Sequence, residues 1–183
     1  LYGGTWNLLN VTLPRLGIKT TFVEPTKIDN FKNAIDENTR AVFIESLGNP
    51  KLNVLNISEI AKVAHLANLP LIVDNTVPTP FLLRPIDFGA DIIVYSTTKY
   101  IGGQGNSLGG AVVDAGKFNW SNGKFPEFTQ PNPAYHGLNL WEALGSSAFI
   151  AKIRLEGLRD LVQLPVLSIL FKLSKALRHC LLD

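Results

Sequence analysis

The densest run of groups able to do chemistry is Tyr95-Ser96-Thr97-Thr98-Lys99-Tyr100-Ile101-Gly102-Gly103. Hydroxyls precede a lysine, and glycines follow it. Hydroxyls and backbone amides of a turn can hold a phosphate, and a lysine beside them can condense through its amine with an aldehyde cofactor. The same run also fits an exposed Ser/Thr-rich turn carrying a solvated lysine. Two further polar positions share its setting: Asn49 shortly after Glu45, and Asp74 directly after Val73, each closing an apolar run as Ser96 does after Tyr95. Ligands of open α/β sheets gather at the carboxyl ends of strands. One such Asp is commonly only a turn or a helix cap, but three in register point to a site. The rival phosphate motif, G-x-x-x-x-G-K-S/T, is absent, and the glycines at 102–105 lack the G-x-G-x-x-G spacing of a dinucleotide fingerprint. A single cysteine, Cys180, excludes an internal disulfide framework and a cysteine-rich zinc site, so no metal is expected.

The elements that must position these residues follow from periodicity. Short apolar runs alternate with amphipathic stretches, the pattern of an α/β sandwich. Residues 5–16 predict a helix capped by Thr5, weakened near its end by Pro14. Residues 19–23 read as a strand, 28–35 as a short helix and 41–45 as a strand ending in Ser46-Leu47-Gly48-Asn49-Pro50. A helix over about 56–67 buries Ile57, Ile60, Ala61, Ala64 and Leu66. The continuous runs 71–73, 92–94 and 111–113 suit central strands covered on both faces. Residues 117–137, rich in Gly, Pro, Asn and Ser but carrying Phe and Trp120, predict a long structured loop. Helical period resumes over 141–161, with Arg154 and Arg159 on the polar side.

Charge and composition bound the class. Seventeen basic against fifteen acidic residues give a net +2, with 46% hydrophobic and 17% charged residues in a chain of 183. Such a chain is globular and long enough for one domain. So small a charge gives no reason to expect a nucleic-acid partner. No apolar run reaches the roughly 18 residues of a membrane span, and no signal-peptide layout opens the chain. A reducing, cytoplasmic setting is expected. The sequence opens at Leu1 and contains no methionine, so it is expected to be a piece of a longer product.

The chain resembles the Cys/Met-metabolism enzymes that use pyridoxal 5′-phosphate (PLP), the transsulfuration branch of fold-type I PLP enzymes. The likeness runs over residues 1–161 and rests on Leu1-Tyr2-Gly3-Gly4-Thr5, Glu45-Ser46-Leu47-Gly48-Asn49-Pro50, Val73-Asp74-Asn75-Thr76 and Asp91-Ile92-Ile93-Val94-Tyr95-Ser96-Thr97-Thr98-Lys99-Tyr100. Gln104 stands where a His is more usual. The resemblance implies an incomplete large domain with a mixed, mostly parallel sheet flanked by helices. It implies that Lys99 holds PLP covalently and then moves protons at the substrate's α and β carbons. Asp74 would pair with the pyridine nitrogen and keep the ring an electron sink. Tyr2 would stack on the ring and assist proton transfer; by itself it fits a core tyrosine equally well. Asn49 would hydrogen-bond the phenolic oxygen, and Ser96 and Thr98 would bind the phosphate. The stretches 114–126 and 135–138 look like those of O-acetylhomoserine sulfhydrylases, where γ-synthase and γ-lyase relatives usually have a shorter loop. That loop also fits an oligomer surface, and His136 is given no catalytic role.

The implied parent activity is γ-replacement on O-acetylhomoserine with sulfide, giving homocysteine. The alternatives are a cystathionine γ-synthase or γ-lyase type of enzyme, or a non-catalytic PLP-binding remnant. Partners would be an O-acylhomoserine and sulfide or a thiol, with neither nucleic acid nor membrane, and the full-length parent would be a homotetramer. Family members are about twice this length, so an upstream phosphate-cradling turn and a downstream substrate-binding domain are expected outside this chain. Residues 162–183 depart from the family. Val162-Gln163-Leu164-Pro165-Val166-Leu167-Ser168-Ile169-Leu170 can be encoded GTG CAG CTC CCA GTC CTT TCA ATT CTx. With one G in front, the same bases read Gly-Ala-Ala-Pro-Ser-Pro-Phe-Asn-Ser, the family's continuation. The tail is therefore expected to arise from a single-base deletion after Leu161. An amphipathic C-terminal helix through Leu170, Leu173, Ala176 and Leu177 is the competing reading.

Overall fold

The computed structural model describes residues 1–158; Arg159 and the tail 162–183 lie outside them. The described residues divide into two compact units, one over Leu1–Ile93 and one from Val94 onward. Four strands order as β1-β2-β3-β4 in one sheet, and helices flank it.

The first unit opens with α1, Gly3–Asn7, which widens into a π turn over Leu8–Thr12 and tightens to 3-10 over Leu13–Leu16. Pro14 lacks the N–H that an α ladder needs there, and Gly17 ends the run in the left-handed region at φ 81°. The helix expected to start at a Thr5 cap starts earlier, with Tyr2 in the cap position and no side-chain cap bond. Residues 19–23, expected as a strand, form none. Their β-branched and aromatic content is not enough, because strand propensity is expressed only against a pairing neighbour.

Next come α2, Ile28–Ala34, which buries Phe31, and β1, Val42–Glu45. Then α3, Ile57–Leu66, is capped by Asn56, whose side chain accepts the Glu59 N–H at 3.2 Å. It buries Ile57, Ile60, Ala61 and Ala64 as its spacing predicts, whereas Leu66 is exposed. Strand β2, Leu71–Asp74, runs parallel to β1 in the register Val42↔Leu71 through Glu45↔Asp74, so α3 is the crossover that parallel pairing requires. Helix α4 is Thr79–Leu82. Asp91, buried before β3 (Ile92–Ser96), accepts the Leu71 N–H and contacts His65 Nε2, each at 2.8 Å.

In the second unit β4 is Gly110–Asp114. Its continuous apolar run predicted cover on both faces, yet Val112 and Val113 are 41% and 39% exposed. The strand is last in the sheet order, and no described layer covers both its faces. The loop 117–137 is structured, as its aromatics predict. Phe118, Trp120, Phe125 and Phe128 are buried, and Trp120 stacks on Phe149 with centroids 4.7 Å apart. It contains α5, Pro126–Thr129. The expected helix over 141–161 is broken. It comprises α6, Leu140–Leu144, a 3-10 turn, α7, Ala148–Lys152, and a π turn over Ile153–Leu158. The break falls at Gly145, at φ 51°, a conformation that an α-helix cannot continue through.

Candidate functional site

In the first unit the residues singled out by sequence converge on the carboxyl ends of β1 and β2. Glu45 closes β1 and sits in register with Asp74, which closes β2. The Glu45 side chain is buried, and both of its carboxylate oxygens are engaged: Oε1 accepts the Tyr2 backbone N–H at 2.7 Å, and Oε2 accepts the Asn49 backbone N–H at 3.2 Å. Tyr2, 43 residues away in sequence, is thereby brought beside Asn49. Its ring lies over Gly4, where a Cβ would stand 2.9 Å from Tyr2 Cε1, and its side chain is not in the core, since the residue is 45% exposed. Asn49 lies within the turn that Gly48 opens, whose carbonyl accepts the Leu52 N–H at 2.8 Å, and a Cβ at Gly48 would collide with Asn53 Oδ1.

Asp74 is half-buried, and its Oδ1 accepts the Thr76 N–H at 2.9 Å, which orients the carboxylate at the strand end. The neighbouring Asn75 is fully buried. Its Nδ2 donates to the Thr79 and Leu83 carbonyls at 3.0 and 2.8 Å, and its Oδ1 accepts the Ser46 hydroxyl at 2.7 Å. One amide thus joins the loops that leave β1 and β2 to helix α4.

In the second unit the lysine run leaves β3 at Ser96 and makes a single wide turn over Thr97–Ile101. Lys99 departs from helical backbone within it, at φ −91° and ψ −117°. The turn closes through Gly102 N–H to Thr97 O at 2.8 Å and Gly103 N–H to Lys99 O at 2.7 Å. At Gly102 a Cβ would lie 2.6 Å from Thr97 O, so the turn admits only glycine there. The Thr98 hydroxyl accepts the Gly109 N–H at 2.9 Å and donates to Gly109 O at 3.3 Å. It holds this turn against the entry to β4. Ser96 and Lys99 are half-buried.

Sequence reasoning gave two contributors no role. Glu45 stood in a quoted motif, but its function as a bridge depends on a contact 43 residues distant. Thr97 Oγ1 is buried without a hydrogen-bond partner, and alternation along β3 would have marked Thr97 as the inward-facing hydroxyl. Among the described residues no group of acidic, His or Cys side chains is arranged to hold a metal.

Solved structures place this α/β fold in the class of fold-type I PLP enzymes. A Campylobacter jejuni protein assigned as an O-acetylhomoserine (thiol)-lyase, which carries a pyridoxyl-lysine phosphate, matches at a TM-score of 0.94 and 36% identity over 99% of this chain and 44% of its own. The sequence pattern of the Cys/Met metabolism PLP-dependent enzymes matches residues 1–159, and the chain belongs to that family. O-acetyl-L-homoserine sulfhydrylase of Leptospira meyeri is 52% identical over 169 residues, 88% of this chain and 38% of the relative. A cystathionine γ-lyase structure from Lactobacillus plantarum, complexed with L-serine, matches at a TM-score of 0.72 and 25% identity, covering all of this chain and 40% of its own. The chain therefore spans little more than a third of the length of the curated relatives it matches.

Proposed function

We propose that this chain is the cofactor-anchoring part of an O-acetylhomoserine sulfhydrylase, which replaces the γ-acetoxy group of O-acetylhomoserine with sulfide to give homocysteine. The observation that carries the reading is the Lys99 turn, which sets an amine among hydroxyls and closes through glycines. The donor set suits PLP. Asp74 offers a carboxylate for a ring N–H, Lys99 an amine for an aldehyde, and Thr97 a buried hydroxyl without a partner for an anion. When bound, PLP supplies an electron sink that stabilises negative charge at the substrate's α carbon.

The chain's own residues then divide the work. Lys99 Nζ would hold the cofactor covalently and would carry protons at the substrate's α and β carbons. Asp74 would keep the pyridine nitrogen protonated, and Tyr2 would cover one ring face and assist proton transfer. Asn49 donates to the phenolic oxygen. Ser96 and Thr98 bind the phosphate; for Thr98 this means redirecting a hydroxyl proton from Gly109 O. The substrate's carboxylate site, the homotetramer and a cytoplasmic setting belong to the full-length protein.

Incubation with PLP, borohydride reduction and peptide mapping test the anchor. Label on Lys99 supports the reading, and label only on other lysines overturns it. Homocysteine formation from O-acetylhomoserine and sulfide tests the activity. A second reading, a γ-lyase type of enzyme, is favoured by the Lactobacillus plantarum match. Cleavage of cystathionine without sulfide-dependent homocysteine formation would select it. PLP uptake with neither activity would mark the chain as a binding remnant.

A further inference from the structure

We infer that Glu45 is a positioning residue of the cofactor site: its buried carboxylate clamps the backbones of Tyr2 and Asn49 so that the tyrosine ring and the asparagine amide are set around the cofactor ring. This deepens the reading above and rests on it. Three observations carry it. Glu45 Oε1 and Oε2 each accept one backbone N–H, from Tyr2 at 2.7 Å and from Asn49 at 3.2 Å. The Glu45 side chain is buried at the carboxyl end of β1, so its carboxylate depends on these two N–H groups to offset the cost of leaving water. Glu45 is also the register partner of Asp74, so the residues proposed to touch the ring from this unit are all arranged about one carboxylate.

The chemistry requires an acid here. Two N–H donors from separate segments converge on one side chain, and a carboxylate is the side chain with two acceptor oxygens and no donor. In glutamine one oxygen becomes an NH2 group that faces an N–H, so Glu45→Gln keeps the shape and releases one clamp arm. Glu45→Asp keeps both acceptors on a shorter stem. The strand ends themselves stay tied through Ser46 N–H to Asp74 O at 3.0 Å and Ser46 Oγ to Asn75 Oδ1 at 2.7 Å. The substitution is therefore expected to move Tyr2 and Asn49 and not to unmake β1 or β2.

The test compares wild type, Glu45→Gln, Glu45→Asp and the exposed control Glu37→Gln by amide hydrogen exchange, by PLP titration and by the circular dichroism that the bound PLP acquires. The expected result is faster exchange at Tyr2 or Asn49 in Glu45→Gln, with Val73 protected as in wild type. PLP affinity should fall about tenfold, and the induced dichroism should shrink, reporting a ring no longer held in one pose. Glu45→Asp should recover part of both, and Glu37→Gln should match wild type. Unchanged exchange at Tyr2 and Asn49 overturns the clamp. Faster exchange with unchanged affinity and dichroism overturns the positioning role. A wild-type chain that takes up no PLP overturns the cofactor reading and the positioning role with it, while the exchange data still decide the clamp. If both Glu45 variants also lose protection at Val73, the carboxylate is a fold determinant and the proposal fails.

Discussion

At the scale of single residues, Lys99 and Asp74 differ in what their loss should do. Lys99→Ala removes the only amine in its turn, so the borohydride-stable PLP adduct should vanish, whereas Lys62→Ala on the exposed face of α3 should leave it intact. Asp74→Ala should keep the adduct and lose most catalysis, because the anchor survives while the pyridine nitrogen loses its partner. Mass spectrometry of the reduced protein and a homocysteine assay with the full-length enzyme separate the two. Asp36 shows local electrostatics away from the site. A hydrogen bond from the Thr39 hydroxyl at 2.8 Å holds its carboxyl below the usual range. A depressed folded value means that its contribution to stability is present above the ordinary carboxylate range and is lost as pH falls through the folded value. Thr39→Val should raise the Asp36 pKa toward the ordinary range, as an NMR titration would read.

At the scale of elements, polar side chains join segments that the strands' own ladders leave apart, as Asn75 joins Ser46 to Thr79 and Leu83. Asn75→Ala would remove the side-chain donor to the Leu83 and Thr79 carbonyls and the Ser46 hydroxyl's bond to Oδ1, while Ser46 keeps Asp74 O and Thr79 O keeps the Leu83 N–H, a loss of about 1–3 kcal/mol. Denaturant unfolding measures it, and a loss below 1 kcal/mol would show that water reaches those groups. Asn56→Ala removes the α3 cap and should cost about 1 kcal/mol, since a single N–H is released at an exposed helix end. The aromatic cluster makes the long loop a small core of its own. Trp120 contacts Phe118, Phe125, Phe128 and Phe149. Trp120→Ala should cost about 3–5 kcal/mol and expose residues 117–137 to proteolysis.

At the scale of the molecule, the chain covers 38% of the Leptospira meyeri relative, and no helix among the described residues is long and apolar enough to cross a membrane. The coding DNA tests the origin of residues 162–183. A second frame should continue past the codon for Leu161 into a Ser-Pro-Phe-Asn segment and a further domain. If no frame does so, the deletion account fails and the amphipathic tail stands as a selected segment.

The sequence by itself determined the β1–α3–β2 unit, because continuous β-branched runs flanking a 3.6-residue period admit few arrangements, and it marked Asp74, Asn49 and the lysine turn by their places at strand ends. It also marked the loop aromatics as a structured cluster, since large rings among Gly and Pro must bury somewhere. Local pattern misled where pairing decides: residues 19–23 have strand composition but no ladder partner, and β4 has a buried strand's sequence with exposed Val112 and Val113. Only the tertiary structure decided that Glu45 holds Tyr2 and Asn49 together. A hydrogen bond across 43 residues leaves no periodic trace in the chain. It arises only once the parallel register has brought β1's end to the surface that Tyr2 approaches.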